Sequence, residues 1–240
     1  MTAIKKKIGM VIAVTVTGLS FFGFVTRQEN QPPVVRIVNP KNNGVYRPGG
    51  QVNYEISVAD KEDGDTKYDE INAKEVLLKV QYVKNKARIK QIIGREKNAD
   101  PVGFITLRQS DCFNCHNYSS KAMGPSFREI AIKYPASGTV IDSLAGHIRT
   151  GCSGRWGKEI MPAHPGLTEA AAKIAVQWIL KNAKDTTINY YTGTTGIFRA
   201  APANKIKGAY ILTASYMDHG LKTSNAAHLR GQDNIVLSEQ

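Results

Sequence analysis

Cysteine is scarce in this chain: of 240 residues only Cys112, Cys115 and Cys152 are cysteine. A tetrahedral zinc site built on the first two would need a second ligand pair, and neither another Cys-x-x-Cys nor two histidines three to five residues apart is present. A glycine-rich dinucleotide loop, a propeller-type repeat and a second Cys-x-x-Cys-His are missing as well, so no segment reads as a catalytic domain of those kinds. A polybasic arm is also absent. The formal charge of +12 is spread out, with 1–27 and 101–182 at +4 each and 28–100 and 183–240 at +2 each. That distribution argues against nucleic acid as a partner.

Acidic residues are absent from the first 27 positions, where Lys5-Lys6-Lys7 precedes an apolar run of 18 residues, Ile8 to Val25, and a polar exit. This is the layout of an export signal. The length lies between a signal core and a spanning helix, so 1–27 is either a cleaved signal peptide or an N-terminal membrane anchor through 8–25. No cysteine follows the run, which leaves a lipoprotein-type anchor unsupported. Both readings place the remainder in the periplasm or another extracytoplasmic space.

From Pro32-Pro33 onward the apolar positions alternate, first Val35 and Ile37, then Val52, Tyr54, Ile56 and Val58, and a further strand is predicted over Val76–Val83. Asn42-Asn43-Gly44 and Pro48-Gly49-Gly50 supply the turns. Residues 28–93 are predicted to form a β module. Asp60, Asp63 and Asp65 follow a strand and could offer oxygen ligands to Ca²⁺, but a solvated acidic turn accounts for them better. Residues 94–100 read as a linker at the end of a basic stretch that begins at Lys84. They close on Asn98-Ala99-Asp100-Pro101, which would place Asp100 as N-cap and Pro101 at position N1 of a helix.

The pattern over 101–183 is helical. Ser126–Glu129 and Thr139–Asp142 have capping-box spacing, and Ala171, Ile174, Ala175 and Trp178 share one face of a last helix after Thr168. Within this stretch lies Cys112-Phe113-Asn114-Cys115-His116. Two thiols at that separation reach the two vinyl groups of one haem, and the adjacent imidazole falls under the iron as proximal ligand. A redox-active thiol pair would want strand–turn–helix surroundings instead. For the opposite face of the iron the candidate is Met161, because Pro162 favours an extended loop there and a thioether suits a soft, redox-active metal. His164 and His147 could also ligate, giving a lower potential.

Gly103 to Leu180 resembles the small bacterial class I c-type cytochromes. The likeness is carried by Gly103-x-x-x-Leu107, Ser110-Asp111 before the haem motif, Met123-Gly124-Pro125-Ser126, and Gly154-Arg155-Trp156-Gly157 leading to Met161-Pro162-Ala163-His164-Pro165. The resemblance implies that Pro125 lines the proximal pocket, where the Gly-Pro backbone accepts a bond from His116 Nδ1. It also implies that Trp156 directs its indole N–H toward a haem propionate. Trp178 is expected to pack the last helix on the first near Gly103 and Leu107. Cys152 departs from the family, which usually carries a small residue there; inert burial is the favoured reading and intermolecular pairing the alternative.

Strand-like composition returns over 184–240, at Ile188–Tyr191, Gly196–Phe198, Gly208–Tyr216 and Asn234–Leu237. The order of a PKD- or immunoglobulin-like module, a cytochrome segment and a β tail resembles the C-terminal part of haem-containing glucose/sorbosone-type dehydrogenases. The expected fold is therefore multidomain: an all-α class I cytochrome c domain over 101–183, between an Ig-like β-sandwich and a short C-terminal β extension. The expected function is that of a non-enzymatic carrier, an exported monohaem cytochrome with one covalent haem c, passing single electrons between a separate dehydrogenase or respiratory donor and a cytochrome or oxidase acceptor. A haem-based sensor with a labile Met161 is the alternative. A third reading, in which the β segments bind polysaccharide or envelope partners, is weakened by the scarcity of aromatic clusters in 32–83.

Overall fold

The computed structural model describes residues 29–96, 100–202, 207–221 and 227–240. The export segment predicted over 1–27 and the Asn98-Ala99 turn lie outside these residues. Among the described residues no helix is long and apolar enough to cross a membrane.

Among the described residues nine strands form two facing sheets. The first contains β1 (Val34–Asn39), β3 (Gln51–Asp60), β4 (Gly64–Asp65) and β7 (Thr195–Arg199), with β3 pairing all the others. The second runs in the order β2 (Val45–Tyr46), β9 (Arg230–Glu239), β8 (Ala209–Met217), β5 (Leu77–Val83) and β6 (Ile188–Thr192). Alternation sorts the residues. Leu78 and Val80 of β5 join Tyr210, Leu212, Ala214 and Tyr216 of β8 in facing Ile56 and Val58 of β3, which makes the sandwich core.

The helices fall between two neighbouring strands. After β5 come α1 (Ile89–Glu96), α2 (Val102–Gln109), α3 (Phe127–Lys133), α4 (Gly138–Thr150) and α5 (Glu169–Asn182), and the chain then returns to β6 beside β5, with Gln81 opposite Ile188. Their core lies on the outer face of the second sheet. Phe104, Leu107, Tyr118, Phe127 and Ile179 close over Leu77 of β5, with Tyr190 of β6 packed against the cluster.

This arrangement overturns the expected fold class. Strands from before and after the helices interleave in both sheets, since β3 pairs β7 and β5 pairs β6 and β8, so the later strands are no separate extension. Nor do the helices make an all-α unit, because strand residues complete their core. The cause is burial on both faces of the second sheet: β8 is buried at Ile211, Thr213 and Ser215 as well as at the alternate positions that face the sandwich core. A sheet buried on both sides loses the alternation that marks a half-exposed strand.

Local signals fared unevenly. Ser126 forms the expected capping box with Glu129. The Thr139–Asp142 box does not form, because α4 already begins at Gly138 with Ser137 as N-cap. Pro101, and not Asp100, is the N-cap of α2, and Asp100 instead pairs with Arg108 at 3.1 Å. Trp178 meets the first helix of the haem segment as expected: its ring lies 4.7 Å from Phe104, and a Cβ on Gly103 would come within 2.7 Å of Trp178 Cβ.

Candidate haem-binding site

Cys112 and Cys115 flank a single 3-10 turn, Cys112–Asn114, entered through Asp111 in the left-handed region at φ 55°. His116 N donates to Cys112 O at 3.0 Å, so the imidazole follows the two thiols on one tight ring of backbone. All three cysteines are unpaired. Burial pushes the Cys112 thiol up to about 12, with Asp111 adding to the shift. A redox-active pair needs a stabilised thiolate, so this shift counts against that reading.

The proximal wall is built from paired backbone. Gly124 N donates to Cys115 O at 2.9 Å, Phe127 N to Asn117 O at 3.1 Å and Arg128 N to Tyr118 O at 3.0 Å, which lays 124–128 along 115–118. His116 Nδ1 lies 2.6 Å from Pro125 O. A carbonyl can only accept, so Nδ1 carries the hydrogen and the Nε2 lone pair is left to ligate. Burial lowers the His116 pKa against the opposing pull of Pro125, and His164 adds to the lowering. Both effects suit a neutral imidazole. Phe127 stacks on its ring at 5.6 Å and 19°. Gly124 fits where nothing larger does, because a Cβ there would stand 2.5 Å from His116 Cε1.

Met161 comes from a different part of the chain, the loop between α4 and α5. It is held by a two-residue bridge in which Cys152 N donates to Met161 O at 3.1 Å and Met161 N to Cys152 O at 2.8 Å. Cys152 is half-buried, and directly opposed residues of an antiparallel pair project to the same side, so its thiol faces as Met161 does. Trp156 lies in the same loop, under Lys133 Nζ at 4.1 Å and edge-on to Tyr134. His147, in the last turns of α4, has a buried Nδ1 without a hydrogen-bond partner among the described residues, and burial lowers its pKa. His164 N donates to Ile148 O at 2.9 Å.

Two free thiols on one turn, a neutral imidazole with its tautomer fixed, a glycine that clears the ring, and a thioether on the loop between α4 and α5 make a donor set whose chemistry fits a covalently held haem. Arg128, absent from the sequence-level site, ties this wall to the rest of the molecule. Its guanidinium lies over Tyr118 at 5.4 Å and donates to Ala183 O, Asp185 O and Ile188 O, joining α3 to the end of α5 and the start of β6. Its partners lie 55 or more residues away, and no local pattern announces them. Among the described residues no group of three or more His, Cys, Asp or Glu could hold a metal ion, and the carboxylates weighed for Ca²⁺ bond within the protein, with Asp60 Oδ2 buried and without a hydrogen-bond partner. Asp60 accepts from Glu62 N and Asp63 N, Asp63 from Tyr216 Oη and His219 N, and Asp65 from Lys67 N.

No family model matches the chain. Among curated proteins it is similar to cytochrome c-551 of Azotobacter vinelandii, 44% identical over 69 residues that make up 29% of this chain and 83% of the relative. It is also similar to cytochrome c-552 of Hydrogenobacter thermophilus, at 41% identity over 30% of this chain and 74% of that protein. Among solved structures, cytochrome c552 of Nitrosomonas europaea aligns with 35% identity over 32% of this chain and 96% of its own, at a TM-score of 0.31.

Proposed function

The chain belongs to the class I c-type cytochromes over a little under a third of its length, and on that premise we propose that it is an exported electron carrier holding one haem through Cys112 and Cys115. His116 and Met161 are its axial pair. Such a haem supplies a reversible one-electron couple. The observation that carries the reading is the 2.6 Å contact of His116 Nδ1 with Pro125 O, which presents Nε2 as a fixed, neutral donor.

The protein's part is orientation and electrostatics. Pro125 holds the imidazole in one tautomer and raises its basicity through the shared hydrogen. Gly124 and Phe127 set the ring plane. Met161 offers a soft sulfur, and the His/Met pair favours a higher potential than two histidines would. Trp156 directs its N–H toward a propionate, with Lys133 beside it as a positive neighbour.

The carrier takes electrons from a separate dehydrogenase or respiratory donor and gives them to a cytochrome or oxidase outside the cytoplasm. Residues 8–25 export it and are then either removed or kept as a tether. The sandwich is the part that docks in such an assembly, consistent with the likeness of its first strands to PKD- and Ig-type modules.

The test is spectroscopic. Matured with haem and examined oxidised and reduced, the wild type should give a reversible one-electron couple and a sulfur-to-iron charge-transfer band, and Met161→Ala should lose the band. A band retained in the variant overturns the axial assignment. Ready binding of carbon monoxide by the reduced wild type at neutral pH would favour a haem sensor instead.

A further inference from the structure

The basic stretch from Lys84 to Arg95 has no part in the haem site. In the structure it is a 3-10 turn, Lys86–Arg88, followed by α1. Ile89, Ile92 and Ile93 are the half-buried positions of α1, spaced to share the face that also holds Glu96, and Glu96 is fixed to Lys79 of β5 at 2.6 Å. The cations Lys84, Lys86, Arg88, Lys90 and Arg95 are all exposed, and none is in an ion pair among the described residues.

The segment 84–96 contains no aromatic residue and, besides the engaged Glu96, no acid. Beside it, a groove of ≈ 510 Å³ is lined by Lys79, Lys84, Arg88 and Arg95 against Asp185 and Glu96. Both acids are occupied. Asp185 accepts from Thr187 N at 2.8 Å and Thr187 Oγ1 at 2.6 Å. The groove lining carries four cations against two carboxylates, a net positive charge.

From these observations we propose that α1 and this groove form a peripheral contact with an anionic lipid surface, the groove admitting headgroup phosphates. Tight protein contacts concentrate on aromatic or apolar anchors set in pockets; the exposed positions of α1 offer none, and in the groove Tyr82, Val83, Ile92 and Ile188 are outnumbered by six charged side chains. Diffuse positive charge on one face of a short amphipathic helix is what an anionic headgroup layer attracts. Position supports the same occupant. Asn30 bonds to Ala227 O, and Arg230, three residues on, bonds to Glu96 O at 3.0 Å, so the described chain starts at the end of the sheet where α1 finishes. From Val25 to Asn30 the chain spans at most about 18 Å. The apolar run 8–25, where retained, delivers this face to a bilayer. The contact itself needs neither that run nor the haem.

The test uses the haem-loaded full chain with vesicles of phosphatidylcholine alone or mixed with phosphatidylglycerol, labelling accessible amines and reading them by peptide mass spectrometry. Lys84, Lys86 and Lys90 should be protected only where phosphatidylglycerol is present, while Lys41, Lys61 and Lys67 stay reactive. Each cation near such a surface is worth about a factor of five, so R88Q/K90Q/R95Q should weaken the phosphatidylglycerol-dependent binding by about 100-fold. K41Q/K61Q/K67Q should leave it unchanged, and an unaltered haem spectrum in both variants establishes that they fold. Equal labelling with both vesicles, equal weakening by the control variant, or protection by inorganic phosphate alone overturns the proposal. Protection by an acidic redox protein and not by vesicles overturns it in favour of a protein partner.

Discussion

The two sides of the proposed haem site are built to different standards. On the His116 side, three backbone hydrogen bonds, a capping box, a stacked ring and the Arg128 clamp determine the ligand's position several times over. On the Met161 side a pair of hydrogen bonds to Cys152 closes a loop that meets α3 through Lys133, which donates to Arg155 O at 3.2 Å, and through Trp156 edge-on to Tyr134; its residues 153–160 are exposed apart from Trp156. The proposed proximal ligand is held by many contacts across the fold, whereas the proposed distal one rests on few. Changes on the first side should reach attachment and stability, and changes on the second should reach ligation alone.

The sharpest break is Gly124→Val. With a Cβ 2.5 Å from His116 Cε1, the ring must move. The variant is expected to lose most of its covalent haem, measured as haem absorbance per protein, and full loading would show that the wall yields more than its contacts imply. Next is Leu77→Ala, which cuts the sheet's contribution to the core behind the proximal wall. A fully buried leucine of this kind costs about 2–5 kcal/mol on truncation, to be read from denaturant unfolding of the haem-loaded protein, and a cost near zero would mean that the helices stand without the sheet.

A smaller and selective effect is expected of Cys152→Pro, which removes the N–H that Met161 O accepts. Haem content should hold while the sulfur-to-iron band is lost at lower temperature than in wild type; equal loss of haem would erase the contrast between the sides. Smallest is Ser126→Ala, at about 1 kcal/mol for a lost helix cap, measured by thermal unfolding. Its pH dependence adds a check. The Ser126 backbone and hydroxyl hold the Glu129 carboxyl below its usual range, so this contribution is present above the unfolded carboxylate value and lost as pH falls through the lowered folded one. Ser126→Ala should make the acid limb of the stability curve shallower.

The sequence was most legible where structure is local. Cys112, Cys115, His116 and the Ser126 box could be read because their chemistry lies within five residues. Trp178 against Gly103 could be read from a helical face. The joining of β5 to β6 could not, since residues 84–187 intervene and nothing in either strand encodes its neighbour. Helix α1 was hidden in another way: a short segment dense in lysine and arginine, which the sequence divides between the β module and the linker, shows no helix until a sheet supplies a surface for its three isoleucines. Thr139–Asp142 carries the reverse lesson, because a capping pattern has no effect when the helix has already begun one residue earlier.

The way the helices leave and rejoin the sheet also bears on how electrons find their way. Gln81 and Ile188 are paired across β5 and β6, so the departing and returning strands stand about 5 Å apart. An electron carrier strung on a single linker sweeps out a volume and visits donor and acceptor in turn. One clamped at both ends to adjacent strands has no swivel, and its search is confined to the tumbling and lateral diffusion of the whole molecule. Its exchange rates should therefore follow how the entire protein approaches its partners, with no separate contribution from a roaming haem arm.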